Sequence, residues 1–568
     1  MIHAPSWRHH DCYLVRLLVV RFLRIGAVLG IAAGLVAVWT VVQPAVDSAT
    51  SKLSNLVSAA TKSGPVTYYI RPGGNNAAAG TSPRTAWRTL ARASRAVLRP
   101  GTRLLLRGGG VYQGSLVIGT ADGGDPSKPI LIGSYGKGRA EILSSSNGIA
   151  VVDTRGVDIQ NLKIVGNHAM NAANAGIQMY SNRRRGRLAH VYVTKVDIKG
   201  FGFGVAIGAI HDGAGFRNVH VTLSSVHDNL DGGLVTYGPD YNPAVPGYAH
   251  ANIYVSQVRA FRNFGDPANT THNTGSGIEL GSVSSATVVN SQAFDNGGSN
   301  GSMSEGPIGI WTYDSTRVVM KHDVSHGNRS ASVHDGGGFG LDRETTHSLL
   351  EYDLSYDNHG AGFLLYSAPN APGRQTANVV RFNISYGDVR GRNHVIGALE
   401  AEGKVSNSVF YQNTAVVTGS NTQPAFKATG DLRHVKVLNN ILVAAHGAVV
   451  LATTPMKTSQ VFFSGNDYFD PGIWVVQWGT HTHYLSIGDW RKATGNEKLK
   501  GVRTGHVLAP MFAGPLTPSR GGNGFMLSPK SRLIRKGLNL LRLFGIRAGG
   551  LTYGGRPYLI RTPNIGAQ

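Results

Sequence analysis

Between Asn229 and Asp388 one phrase recurs six times: a β-rich run, an Asn or Asp, then a Gly-led apolar strand. The turn residues Asn229, Asn263, Asn296, Asn328, Asn358 and Asp388 follow one another at intervals of 34, 33, 32, 30 and 30 positions. A period of that size means stacked supersecondary units, not one globular core. The runs NVHVTLSSVHDN, SATVVNSQAFDN, TRVVMKHDVSHGN, HSLLEYDLSYDN and NVVRFNISYGD alternate apolar and polar residues, as half-buried strands do. The expected fold is all-β, a single-stranded right-handed parallel β-helix whose coils bury one face by stacking on their neighbours. Asn at the same turn of successive coils predicts a column of amide hydrogen bonds.

The strand after each turn predicts a wall. In register the runs are Gly233–Tyr237, Gly277–Gly281, Gly309–Asp314, Gly338–Asp342, Gly362–Tyr366 and Gly397–Gly403. Side chains alternate across a strand, so Leu234, Ile278, Leu280, Ile310, Thr312, Phe339, Leu341, Phe363 and Leu365 are expected inside. Tyr237, Glu279, Trp311, Tyr313, Asp342 and Tyr366 then face outward. One extra residue in the last run would turn Glu400 and Glu402 outward as well. Aromatic rings and carboxylates along one groove suit a sugar polymer, the rings stacking on sugar faces and the acids moving protons. The plainer reading, rings covering strands and acids solubilising a face, stands beside it.

Composition agrees with a solenoid. The chain has 568 residues, 75 of them Gly, with 41% hydrophobic and only 15% charged residues. Cys12 is the single cysteine, which excludes intrachain disulfides and thiolate metal sites. A net charge of +23 would suit nucleic acid, but residues 201–480 hold 22 acidic and 16 basic side chains, so the bases sit at the two ends. With no zinc-finger, helix-turn-helix or RNA-binding signature either, no nucleic-acid partner is expected.

Residues 1–24 read as a cytoplasmic tail and 25–43 as a transmembrane anchor or signal segment. Ile25–Val42 is uncharged and mostly apolar, and Arg16, Arg21 and Arg24 precede it. An uncleaved single-pass anchor in the cell membrane is favoured over a cleaved signal peptide and secretion, because Gln43–Ala49 offers no clean cleavage site. Residues 44–64 form a linker, 65–500 the β-helix with its N-terminal cap, and 501–568 a closing segment. Ala86–Leu98 has helical spacing and is expected to cap the first coil.

The opening YYIRPGGNNAAAGTSPRTAWRTLARA with PGTRLLLRGGGVYQGSL, the central GPIGIWTYDS and DGGGFGLD, and the tail from LSPKSRLIRKGLN to NIGAQ resemble bacterial right-handed β-helix proteins of the pectin-lyase-like superfamily. The resemblance implies the fold over about residues 65–568. It leaves open polysaccharide lyases, glycoside hydrolases, epimerases, tailspikes and adhesins. The Asn-Thr-Asp, Gly-His-Gly and Arg-Ile-Lys motifs of polygalacturonase-type hydrolases are absent, as is the Asp-Pro-His-Asp motif of alginate epimerases. Relatives often read GFDLD where this chain has Gly340, which puts the role of that first acid in doubt here.

A lyase needs a base and cations for the uronate, whereas a glycoside hydrolase needs two carboxyl groups. The wall offers carboxylates, so a hydrolase acting on a polysaccharide leads, with a non-catalytic glycan-binding module and a lyase or epimerase as alternatives. Asp342 is the expected general acid, flanked by Tyr313 and Tyr366. Asp314, Glu279 or Glu402 would be its partner. Strand and coil spacing puts Asp314 roughly 6 Å, and Glu279 or Glu402 roughly 10 Å, from Asp342, which favours inversion. Trp311, Tyr313, Tyr366, Tyr237, Arg343 and His334 are the expected sugar contacts, and His334–Asp335 could also orient substrate or donate a proton. Trp474, Trp478, His481 and His483 form a weaker candidate patch. No metal site or cofactor is expected, with a bound calcium left open.

Overall fold

The computed structural model describes residues 65–568, apart from 167–172, 392–394, 419–421 and 519–522. Three parallel sheets of 14, 14 and 13 strands run the length of a right-handed solenoid. The first sheet opens with Thr67–Ile70 and Arg103–Arg107. The second opens with Val111–Gln113, and the wall sheet with Leu116–Ile118. Each coil visits the first sheet, the second and the wall before climbing to the next. Only the closing pair, Val476–Trp478 with His483–Tyr484, breaks the parallel rule in the wall sheet.

The inward columns are apolar, as the alternation requires. Leu234, Ile278, Ile310, Phe339, Phe363, Leu399 and Phe426 pair in succession up the wall's inner face. Phe339 and Phe363 stack with ring centres 5.1 Å apart.

The turn column is a continuous amide ladder. Each Nδ2 of Asn229, Asn263, Asn296 and Asn328 donates to Oδ1 of the next Asn at 2.9 Å, and Asn358 donates to Asp388 at 2.8 Å. A second ladder, unanticipated, runs up the corner between the first and second sheets. Asn383, Asn413, Asn440 and Asn466 are linked at 2.9–3.1 Å and end on Glu497.

The cap helix is shorter than its spacing predicts, covering only Leu90–Ala93. Trp87 is taken into pairing with Ile70, and the Thr89 side chain caps the helix by accepting from the Arg92 N–H at 3.2 Å. At the far end a helix at Ile487–Thr494 inserts Trp490 against Phe463 and Trp478. The expected aromatic–His patch therefore does not form. Trp478 is core, Trp474 is half-buried with its Nε1 donating to the Tyr468 carbonyl, and His481 and His483 point to solvent.

Beyond that helix the chain doubles back along the first two sheets. Leu540 and Tyr558 pack on Phe382, Tyr411 and Leu438, while Leu533 and Ile565 pack on Val416 and Ile441. The expected membrane segment, 25–43, lies outside the described residues. Among those described, no helix is long and apolar enough to cross a membrane.

Candidate active site

Strand pairing divides the wall's outer face into two columns. Val235, Glu279, Trp311, Gly340, Leu364, Glu400 and Lys427 form one. Gly281, Tyr313, Asp342, Tyr366 and Glu402 form the other. Asp342 thus stands directly between Tyr313 and Tyr366, and Glu402 lies two coils above it with the Tyr366 ring between.

Two of the expected partners stand off the Asp342 column. Glu279 pairs with Trp311, which pairs with Gly340, so Glu279 stands two coils and two strand positions from Asp342, in the other column. Asp314 lies one residue past the strand end with φ 44°, at the corner and not on the floor beside Asp342. A left-handed residue at that point turns the chain toward the first sheet.

The rings are floor more than platform. Trp311 is only 7% exposed, and its Nε1 donates to Ser276 Oγ at 3.0 Å. A Cβ on Gly281 would lie 2.2 Å from the Tyr313 ring, so this glycine exists to let that ring lie flat on the wall. Tyr237 lies over Gly208 in the same way, three coils before Asp342, and receives a hydrogen bond from Gln178 at 3.3 Å. Tyr366 remains half-exposed beside Asp342, and His334 lies half-buried in the loop before the Asp342 strand.

Acids gather around Asp342 from more than the wall. Asp342 is 9% exposed, and its buried Oδ1 has no hydrogen-bond partner among the described residues. Burial holds its carboxyl well above the ordinary range, and of the surrounding charges Asp335 adds most to that rise, with Glu305 and Glu279 behind it and Arg343 opposing. Asp335 itself is pushed up to about 7, by burial first and by Glu305 and Glu402 after it, against the Gly306 N–H that donates to its Oδ2 at 3.1 Å. Burial lifts Glu279 to about 7, opposed by its hydrogen bond to Ser276 and by Arg343. Asp231 rises for the same cause, with Glu279 and Asp266 adding to it.

The strand pattern did not reach Glu305, and Asp335 stood in the sequence reading only beside His334, as a loop pair able to orient substrate or donate a proton. Both stand just before a glycine where a loop enters a wall strand, in SEGPIGI and HDGGGFG, one coil apart. An acid placed twice at that junction was the readable signal.

Cations are few. Arg343 sits 5.4 Å from the centre of the Tyr313 ring and is held charged by Asp314, Glu305 and Asp342 despite its burial. On its far side Asp314 is raised by burial and by Glu344, whose Oε1 accepts from the Gly373 N–H at 2.9 Å. Higher up, Lys427 is 3% exposed, with its Nζ 2.6 Å from Glu400 and 3.1 Å from Glu402. Burial opposes the charge of that ammonium, and the two carboxylates outweigh it. Among the described residues no group of three or more His, Cys, Asp or Glu side chains is placed to hold a metal ion.

No family model matches this chain, and neither does any curated protein. Solved structures do align. The GH136 lacto-N-biosidase from Eubacterium ramulus shares 15% identity over 73% of this chain and 67% of its own, with a TM-score of 0.46. Pectate lyase Pel9A shares 18% over 89% and 96%, with a TM-score of 0.43. A rhamnogalacturonan lyase shares 12% over 85% and 99%, with a TM-score of 0.38. The β-helix assignment rests on this chain's own sheets and register.

Proposed function

We propose that the acid groove is the active site of a glycoside hydrolase acting on a neutral polysaccharide outside the cytoplasmic membrane. The observation that carries this reading is the pair Asp342 and Asp335, two desolvated carboxyls both held above the ordinary carboxylate range, with the charge of Asp335 acting on Asp342. A protonated acid beside a second carboxyl is what glycosidic cleavage needs. Asp342 donates its proton to the leaving-group oxygen as the glycosidic bond breaks. Asp335 then acts either as base on a water or as nucleophile on the anomeric carbon. The inverting course expected above rested on Asp314, Glu279 or Glu402 as partner, and with Asp335 in that role both courses are open.

Charge weighs against a lyase. A uronate carboxylate entering this groove would meet Asp335, Glu305, Glu279 and Glu402, and among the described residues Arg343 is the cation acting on Asp342. The charge of Asp314 acts on Arg343 from the corner, and Tyr366 is the half-buried ring next to the acid on which a sugar can stack.

Incubating the purified protein with neutral and acidic glycans tests this. New reducing ends from a neutral glycan, without ultraviolet absorbance from an unsaturated uronate, support hydrolysis. Unsaturated product from a uronate overturns it in favour of a lyase, and binding without product overturns it in favour of a glycan-binding module. The anomeric configuration of the first product, read by NMR, assigns the role of Asp335.

A further inference from the structure

Residues 501–568 contain ten Lys and Arg and no Asp or Glu. Nine of the ten fall among the described residues, and all nine are exposed. Within the described structure none of the nine makes an ion pair. Side chains that only solubilised a surface would be interspersed with acids, as they are on the coils.

This segment has a fixed place. Its apolar residues pack down on the first and second sheets, and its backbone is stapled there. Asn439 exchanges two 2.9 Å hydrogen bonds with Leu538, Gln412 donates to the Asn564 carbonyl at 2.9 Å, and Tyr352 donates to the Leu551 carbonyl at 3.0 Å. The clusters that hold it contain no wall-sheet residue. The cationic face and the acid groove therefore look out from different sides of the solenoid's three-sided section.

Aliphatic side chains stand exposed among the bases. Leu541, Leu551, Leu559 and Ile560 are 43–50% exposed, and Arg542, Arg556 and Arg561 lie close to them in sequence. A soluble polyanion would satisfy the guanidiniums and leave these aliphatics in water. A bilayer with anionic lipid takes both, phosphates pairing with the bases and the aliphatics entering the headgroup boundary. The apolar run Ile25–Val42 places a membrane within reach of the same chain.

We propose that this C-terminal face docks on an anionic lipid surface. Docked so, the solenoid lies against the membrane along its first two sheets and turns the acid groove away from it. The proposal is independent of what the groove does.

The full-length chain, reconstituted in vesicles, tests it through the acylation of Lys530 and Lys536 by a water-soluble reagent, with exposed Lys457, in the turn between the wall sheet and the first sheet, as reference. In vesicles containing phosphatidylglycerol both lysines should react several-fold more slowly than in phosphatidylcholine alone. About 0.5 M salt should abolish the difference, since it shortens screening to a few ångströms. Combining Arg542→Gln, Arg547→Gln, Arg556→Gln and Arg561→Gln should also abolish it. All four side chains are solvent-exposed, and Lys457 reactivity reports that the fold is kept. Equal rates in the two lipids overturn the proposal. Protection of the detergent-solubilised protein by polyphosphate, matching that by anionic vesicles, overturns the lipid as occupant.

Discussion

Asp335 enters the wall strand that Asp342 ends, and its charge is the strongest of those that keep Asp342 protonated. Seven positions of one chain thus supply both carboxyls of the groove's centre. Asp342→Asn keeps size and shape, so it should lower turnover about 10²–10⁴-fold with the fold intact. Asp335→Asn should cost a comparable factor. Full activity in the Asp342 variant, on a substrate the native protein cleaves, would remove Asp342 from the chemistry.

The same acids make stability fall as pH rises. Asp335 and Glu279 have folded values of about 7 against ordinary carboxyl values of 3.8 and 4.5. Between pH 4 and 7 the folded form therefore keeps protons that the unfolded chain has lost. Stability is greatest near the lower value and declines until the folded groups ionise. Glu279→Gln should flatten that slope and add about 1–3 kcal/mol at pH 8. Denaturant titrations of both proteins at pH 5 and pH 8 check the sign; a native protein more stable at pH 8 would contradict it.

Lys427 is a buried cation shared by two acids. Removing it alone, as in Lys427→Met, leaves Glu400 uncompensated and should cost about 3–5 kcal/mol. Adding Glu400→Gln should recover most of that loss. Chemical denaturation of Lys427→Met, Glu400→Gln and the double variant measures the coupling directly.

Asn328 is a rung with bonds on both sides. Its Oδ1 accepts from Asn296 and its Nδ2 donates to Asn358 and to Ser325, all at 2.9–3.0 Å in a fully buried corner. Asn328→Ala should destabilise the coil stack by about 2–4 kcal/mol, because the groups on either side lose partners they cannot replace with water. Amide exchange of Asn296, whose backbone N–H donates to Asn328 Oδ1 at 3.3 Å, should accelerate in the same variant.

Much of this molecule is written in its periodicities. The 30-residue interval fixed which turn stacks on which, and the alternation of Ile278–Glu279–Leu280 or Phe339–Gly340–Leu341 told inside from outside. The second amide ladder was equally present, in RFNIS, YQNTA, VLNNI and SGNDY, at shorter intervals of 30, 27 and 26. The cap helix was over-read because helical spacing between Ala86 and Leu98 says nothing about Trp87 being claimed by Ile70.

The sequence by itself determined the solenoid, its inner columns and the acid that ends the central wall strand, because strand alternation and coil stacking are local rules repeated many times. Which acids share a site was decided only by the tertiary structure. Glu279 and Asp342 stand two and four residues past the glycines that lead their strands, so one shared register puts them in different outer columns. Asp335 and Glu305 reach the groove from loops, where no period governs the path. Whether a ring projects or lies flat depended on a glycine in the coil before it, as Gly281 does for Tyr313, and that contact exists only once the coils are stacked.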